Sequence, residues 1–249
     1  VEPNHGVVPV PDARLAQVAS FFAPEKITPA TLEFVDIAGL VKGAAQGEGL
    51  GNQFLAHIQE VDAIAHLVRC FVDGNVVHVH GAVDPVRDVE VVETELILRD
   101  LDQVAKRLER QRHALKVGDK TAKAAKEELA VLEAVERALA QGKPARSLAL
   151  DAEQRELIRE TPILTLKPVL FVANIKDEQI TAPGDPHLQA LSKLAAAAGA
   201  PLVSISAKTE AELNDLAPED RKVFMAELGL VDRGLDRFVR AGYQLLDLI

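Results

Sequence analysis

"LEFVDIAGLVKGAAQGEGLGNQFL", residues 32–55, is the stretch on which the reading of the whole chain turns. An apolar run closes on Asp36, and Gly39 follows three positions later. In nucleotide-triphosphate switches an acid at a strand end holds the water shell of Mg²⁺. A glycine three residues on can bring its backbone N–H close to a γ-phosphate, because no Cβ intervenes. Such a switch needs a phosphate cradle of the form G-x-x-x-x-G-K-[ST]. That string occurs nowhere in these 249 residues. On the switch reading, then, the chain is expected to be an internal piece of a longer protein and to hydrolyse nothing by itself. Valine rather than methionine at position 1 points the same way.

Outward from this stretch, "AIAHLVRCF" (63–71), "PVLFVAN" (168–174) and "PLVSISA" (201–207) join "LEFVDIAG" (32–39) as short apolar runs between polar or Gly/Pro residues. All four read as buried strands of a parallel sheet. Helical patterns alternate with them. "NQFLAHIQEV" puts Phe54, Leu55 and Ile58 on one face, and residues 185–199 put Leu188, Leu191 and Leu194 together before Gly199. Strand–helix alternation predicts an α/β fold with helices on both faces. Between Arg87 and Gly142 the pattern changes. Apolar residues recur every three or four positions, at Val92, Leu96, Leu101, Val104 and Leu108, then at Leu129, Leu132, Val135 and Leu139, with "KVGDK" (116–120) as a turn. This predicts two long helices folded back as an antiparallel coiled-coil hairpin. The expected organisation is a sheet domain from 1–86 and 162–249, interrupted by a helical insertion at 87–161.

Order among the loops strengthens the switch reading. "VANIKD" places Asn174 and Asp177 at N-x-x-D spacing directly after a strand, and Ser206-Ala207-Lys208 follows the next strand. Base-reading loops of nucleotide switches have these forms. An Asn in first position ties neighbouring loops together. A carboxylate three residues later can accept from guanine N1–H and N2–H₂ at once, a donor pair that adenine lacks. Taken singly, Asn174 and Asp177 are also common turn formers.

Other readings fall away. Gly43, Gly47, Gly49 and Gly51 do not satisfy G-x-G-x-x-G directly after a strand. His78 and His80 have no evident third metal ligand nearby. A lone cysteine, Cys70, excludes an intrachain disulfide and fits a reducing compartment. No apolar stretch is long enough for a membrane span and no secretory signal opens the chain, so a cytoplasmic protein is expected. A net charge of −10 argues against wholesale coating of nucleic acid. Yet residues 105–126 hold eight Lys or Arg against two acids. That basic cluster straddles the expected hairpin tip, where Lys116, Lys120 and Lys123 are either contacts for RNA phosphates or the solvated charges of an exposed helix pair.

"FVDIAGLVKGAAQGEGLGNQFL", "HVHGAVDPVRDVEV", "LTLKP" and "RAGYQLLDL" together resemble the Obg-like ATPase (YchF) family, essentially end to end. The resemblance implies a P-loop upstream of Glu2-Pro3-Asn4 and a small β-grasp (TGS) domain after the chain. It implies a GTPase-like domain with an inserted helical coiled coil, hydrolysis of ATP in preference to GTP with Mg²⁺, and association with the ribosome or its large subunit. Asp36 then lies near Mg²⁺ through water, Gly39 senses the γ-phosphate, and Leu40 falls where related switches place a water-orienting Gln. An apolar Leu40 cannot position water, so hydrolysis is expected to be slow or partner-dependent. Asn174, Ile175, Asp177, Ser206 and Ala207 are implied to hold the base. Asp177 departs from the family's usual Glu, Ile175 replaces the Lys of guanine-specific loops, and Lys176 comes one residue late. The alternative is a non-catalytic module that binds ribosomal RNA or protein through the basic hairpin.

Overall fold

The computed structural model describes residues 4–37, 50–78, 81–117, 122–181 and 184–248, with side chains from 50–53, 116–117 and 122–124 left out of the description. Among these residues are five strands: β1 (Asn4–Pro9), β2 (Thr31–Asp36), β3 (Ile64–Arg69), β4 (Val169–Asn174) and β5 (Leu202–Ile205). Val169 through Ala173 is an unbroken apolar run, and all five residues are buried. Only a strand covered on both faces accommodates such a run. β4 accordingly lies in the middle of a parallel sheet of order β3-β4-β5, with Leu67 opposite Val172 and Ala173 opposite Ser204. One face is closed by α6 (Pro186–Ala197), whose first turn is fixed by Asp185 accepting from the His187 and Leu188 N–H groups. Gly199, at φ +62°, ends that segment in the left-handed region. Leu191 and Ala195 of α6 pack with Val68, Phe171 and Ala173.

The strand that ends at Asp36 is not part of this parallel sheet, contrary to the expectation for residues 32–39. It pairs antiparallel with β1, from Asn4 opposite Asp36 to Pro9 opposite Thr31. The reason is visible in its burial: Leu32 is covered while Thr31, Glu33 and Asp36 are exposed, the signature of a strand with one dry face. That face is closed by α9 (Gly234–Leu245). Val239 is fully buried against Leu32 and Val10, and Phe34 lies 4.8 Å from Phe238 between ring centroids. The same unit contains α1 (Ala13–Phe22), α7 (Ala207–Asp215) and α8 (Pro218–Glu227).

The chain divides into two compact units, Val1–Asp36 with Ala63–Val89 and Val169–Ile249, and Ile37–Asp62 with Glu90–Pro168. Residues 37–62 thus group with residues 90–168. That second unit holds α2 (Leu50–Glu60), most of α3 (Pro85–Val117), α4 (Ala122–Ala140) and α5 (Ala152–Leu157). Val104 and Leu108 of α3 share a core with Leu132, Val135 and Leu139 of α4. Residues late in α3 pair with residues early in α4, Arg107 with Glu128 at 2.7 Å and Arg112 with Glu133 at 3.0 Å.

Two polar clasps fix the foot of these helices. Asp100, fully buried in α3, accepts from the N–H groups of Leu164 and Thr165 at 2.7 Å each and from Thr165 Oγ1 at 2.6 Å. Lys167 follows the 3-10 turn Leu164–Leu166 and donates to the carbonyls of Gln59, at 3.1 Å, and Val61, closing the C-terminal end of α2. Burial holds the Lys167 ammonium below its ordinary pKa.

Candidate functional site

Three loops at the C-terminal ends of β3, β4 and β5 are tied into one surface. Open parallel sheets bind their ligands at these ends. Asn174, the last residue of β4, accepts through Oδ1 from the Ala207 N–H at 3.3 Å. Asp177 opens a short 3-10 turn and receives Ser206 Oγ at 2.6 Å and Thr209 Oγ1 on one oxygen, Oδ1, and Lys208 Nζ at 3.0 Å on Oδ2. Those hydroxyls, and after them the Lys208 ammonium, hold the Asp177 carboxyl below the usual carboxylate range. Ser206 has a second task as N-cap of α7, accepting from the Thr209 N–H at 3.2 Å. Local chemistry explains the placement: a Ser before a helix and an Asp in a turn each offer oxygen to nearby donors.

Ile175 follows Asn174 at the end of β4. Its side chain is buried in the sheet core and its N–H donates to Ile205 O at 2.9 Å, so that amide is already engaged. Lys176 lies 3.4 Å from Asp73 in the loop after β3, and its N–H donates to Gln179 Oε1. Gln179 in turn donates to Cys70 O at 3.0 Å. Burial pushes the Cys70 thiol up to about 12, which keeps it protonated and inert. His78 meets Asp88 at 3.0 Å, while its expected neighbour His80 lies outside the described residues.

Asp36 is exposed at the end of β2. Gly39, Leu40 and Lys120 lie outside the described residues, as do the side chains of Lys116 and Lys123. Among the described residues no three His, Cys, Asp or Glu side chains gather as a metal-binding group. A single exposed carboxylate at a strand end fits a hydrogen bond to water on Mg²⁺ rather than a protein-built cage, in keeping with that ion's retention of water. Thr209 and the Lys176–Asp73 pair were not foreseen from sequence.

Comparison with known proteins matches residues 16–174 to the family model described as 50S ribosome-binding GTPase. Ribosome-binding ATPase YchF of Shigella flexneri is 48% identical over 248 residues, covering all of this chain and 67% of the relative. The chain belongs to the YchF family. Ribosome-binding ATPase YchF of Bacillus subtilis is 42% identical over 249 residues with the same coverage. Among solved structures, that of the Schizosaccharomyces pombe YchF GTPase matches 99% of this YchF-family chain with a TM-score of 0.85 at 33% identity, and 66% of that protein is covered. The α/β, GTPase-like fold expected from sequence is therefore the fold of the chain. It spans about two thirds of the length of these YchF relatives. No described helix is long and apolar enough to cross a membrane.

Proposed function

We propose that the intact protein is a cytoplasmic, ribosome-associated switch that binds Mg²⁺ and ATP and hydrolyses the β–γ phosphoanhydride bond. The observation that carries this reading is the joining of the β4 and β5 loops through Asn174–Ala207 and Asp177–Ser206, in a chain whose relatives are named ribosome-binding ATPases. Asn174, Asp177, Ser206 and Ala207 build the base side of the site, and Ile175 packs beneath it. Asp36 orients water on the metal, and Gly39 offers its N–H to the γ-phosphate. When bound, Mg²⁺ neutralises charge on the phosphate oxygens. Leu40 offers no hydrogen bond to an attacking water, so turnover is slow until a partner completes the site. The helices α3 and α4 serve as an inserted coiled-coil arm, and Lys116, Lys120 and Lys123 supply positive charge for ribosomal RNA.

Asp36→Asn tests the switch. In the intact protein, ATP turnover is expected to fall at least about ten-fold, the scale of a lost charge-assisted hydrogen bond. Binding of a fluorescent ATP analogue should persist, because the base side is untouched. Unchanged turnover would remove Asp36 from the chemistry.

A further inference from the structure

A guanine-reading carboxylate meets N1–H and N2–H₂ with its two oxygens, one donor to each. In Asp177 those oxygens are unequal. Oδ1 accepts from two hydroxyls, Ser206 Oγ and Thr209 Oγ1. A carboxylate oxygen has two lone pairs in its plane, so Oδ1 is saturated. Both donors are well seated: Ser206 is 4% and Thr209 3% exposed. Oδ2 meets Lys208, whose side chain is 74% exposed and is displaced at little cost. A ligand approaching this loop is thus offered one oxygen.

We infer that Thr209 is a positioning residue that withholds Oδ1 of Asp177 from the base, so that the site serves an edge with a single donor, such as the adenine 6-amino group, and does not select guanine. This rests on the nucleotide-site reading above. To seat guanine on both oxygens, the buried Thr209 hydroxyl must exchange a charged acceptor for a neutral one, Ser206 Oγ at 2.9 Å. The Asp in this position therefore does not carry its usual consequence. The same residue type that reads guanine in an open loop is here turned inward by a threonine one turn along α7.

The test is equilibrium binding of ATP, GTP and ITP to the intact protein and to Thr209→Val, Thr209→Ser and Asp177→Asn/Thr209→Val. ITP keeps N1–H and lacks the 2-amino group. Valine preserves the shape of threonine without its hydroxyl, and serine restores the hydroxyl. In Thr209→Val the GTP-to-ATP affinity ratio should rise roughly ten-fold, the scale of one hydrogen bond to a charged group. The ITP-to-ATP ratio should rise less. Thr209→Ser should match the unsubstituted protein, and the double variant should lose the gain. An unchanged GTP-to-ATP ratio in Thr209→Val, whether both affinities hold or fall together, overturns the inference and leaves the nucleotide site standing. Failure of every form to bind any of the three nucleotides overturns the nucleotide site itself.

Discussion

Asp100 shows how much one side chain can organise. A carboxylate with no exposure is tolerable only where donors converge on it, and three do: two backbone N–H groups and the Thr165 hydroxyl. Thr165 then accepts from the Ala145 N–H at 3.0 Å, so the network reaches a third segment. Asp100→Ala leaves buried donors without an acceptor and should cost about 3 kcal/mol, read from urea unfolding. Asp100→Asn keeps the shape but turns an NH₂ toward those donors, so it should recover only part of the loss. In the loops after β4 and β5, spacing alone singled out Asn174, Asp177 and Ser206, because each stands close to its own strand end. Thr209 was not legible in the same way. A threonine one turn into a helix is ordinary by propensity, and its partner lies 32 residues earlier.

Strands were legible where they read as apolar runs, although of the three parallel strands only β4 is buried nearly throughout. β3, β4 and β5 announce themselves as apolar runs, whereas "NHGVVP" of β1 does not, and without β1 the antiparallel pairing of β2 cannot be inferred. α9 is a further case. Its stripe of Leu235, Val239 and Tyr243 follows helical spacing, yet no side chain of its own caps its start. Glu210 of α7 does so from a distance, accepting the Gly234 N–H at 2.7 Å. The approach is so close that a Cβ on residue 234 would stand 2.9 Å from both Glu210 Oε1 and Ile205 Cγ2. Gly234→Ala is therefore expected to destabilise the sheet unit by about 1–3 kcal/mol, measured as a shift in denaturation midpoint. The helix must move off β5 to accept the methyl group.

At the scale of the whole molecule the basic cluster has two populations. Lys106, Arg107 and Arg112 are paired with Asp102, Glu128 and Glu133, so part of the positive charge is neutralised along the helices. Lys116, Lys120 and Lys123 carry the proposed RNA interaction. Reversing all three to Glu should weaken ribosome association and flatten its dependence on log salt by about one for each phosphate no longer neutralised. ATP turnover away from the ribosome should not change. An unaltered salt slope would place the docking surface elsewhere on the chain. The Lys167 clasp has a mechanical consequence inside the helical unit. The carbonyls of Gln59 and Val61, at the C-terminal end of α2, are gripped by a lysine that follows the turn seated on α3. A helix held at one end pivots there, so any tilt of α2 loads the turn that Asp100 holds.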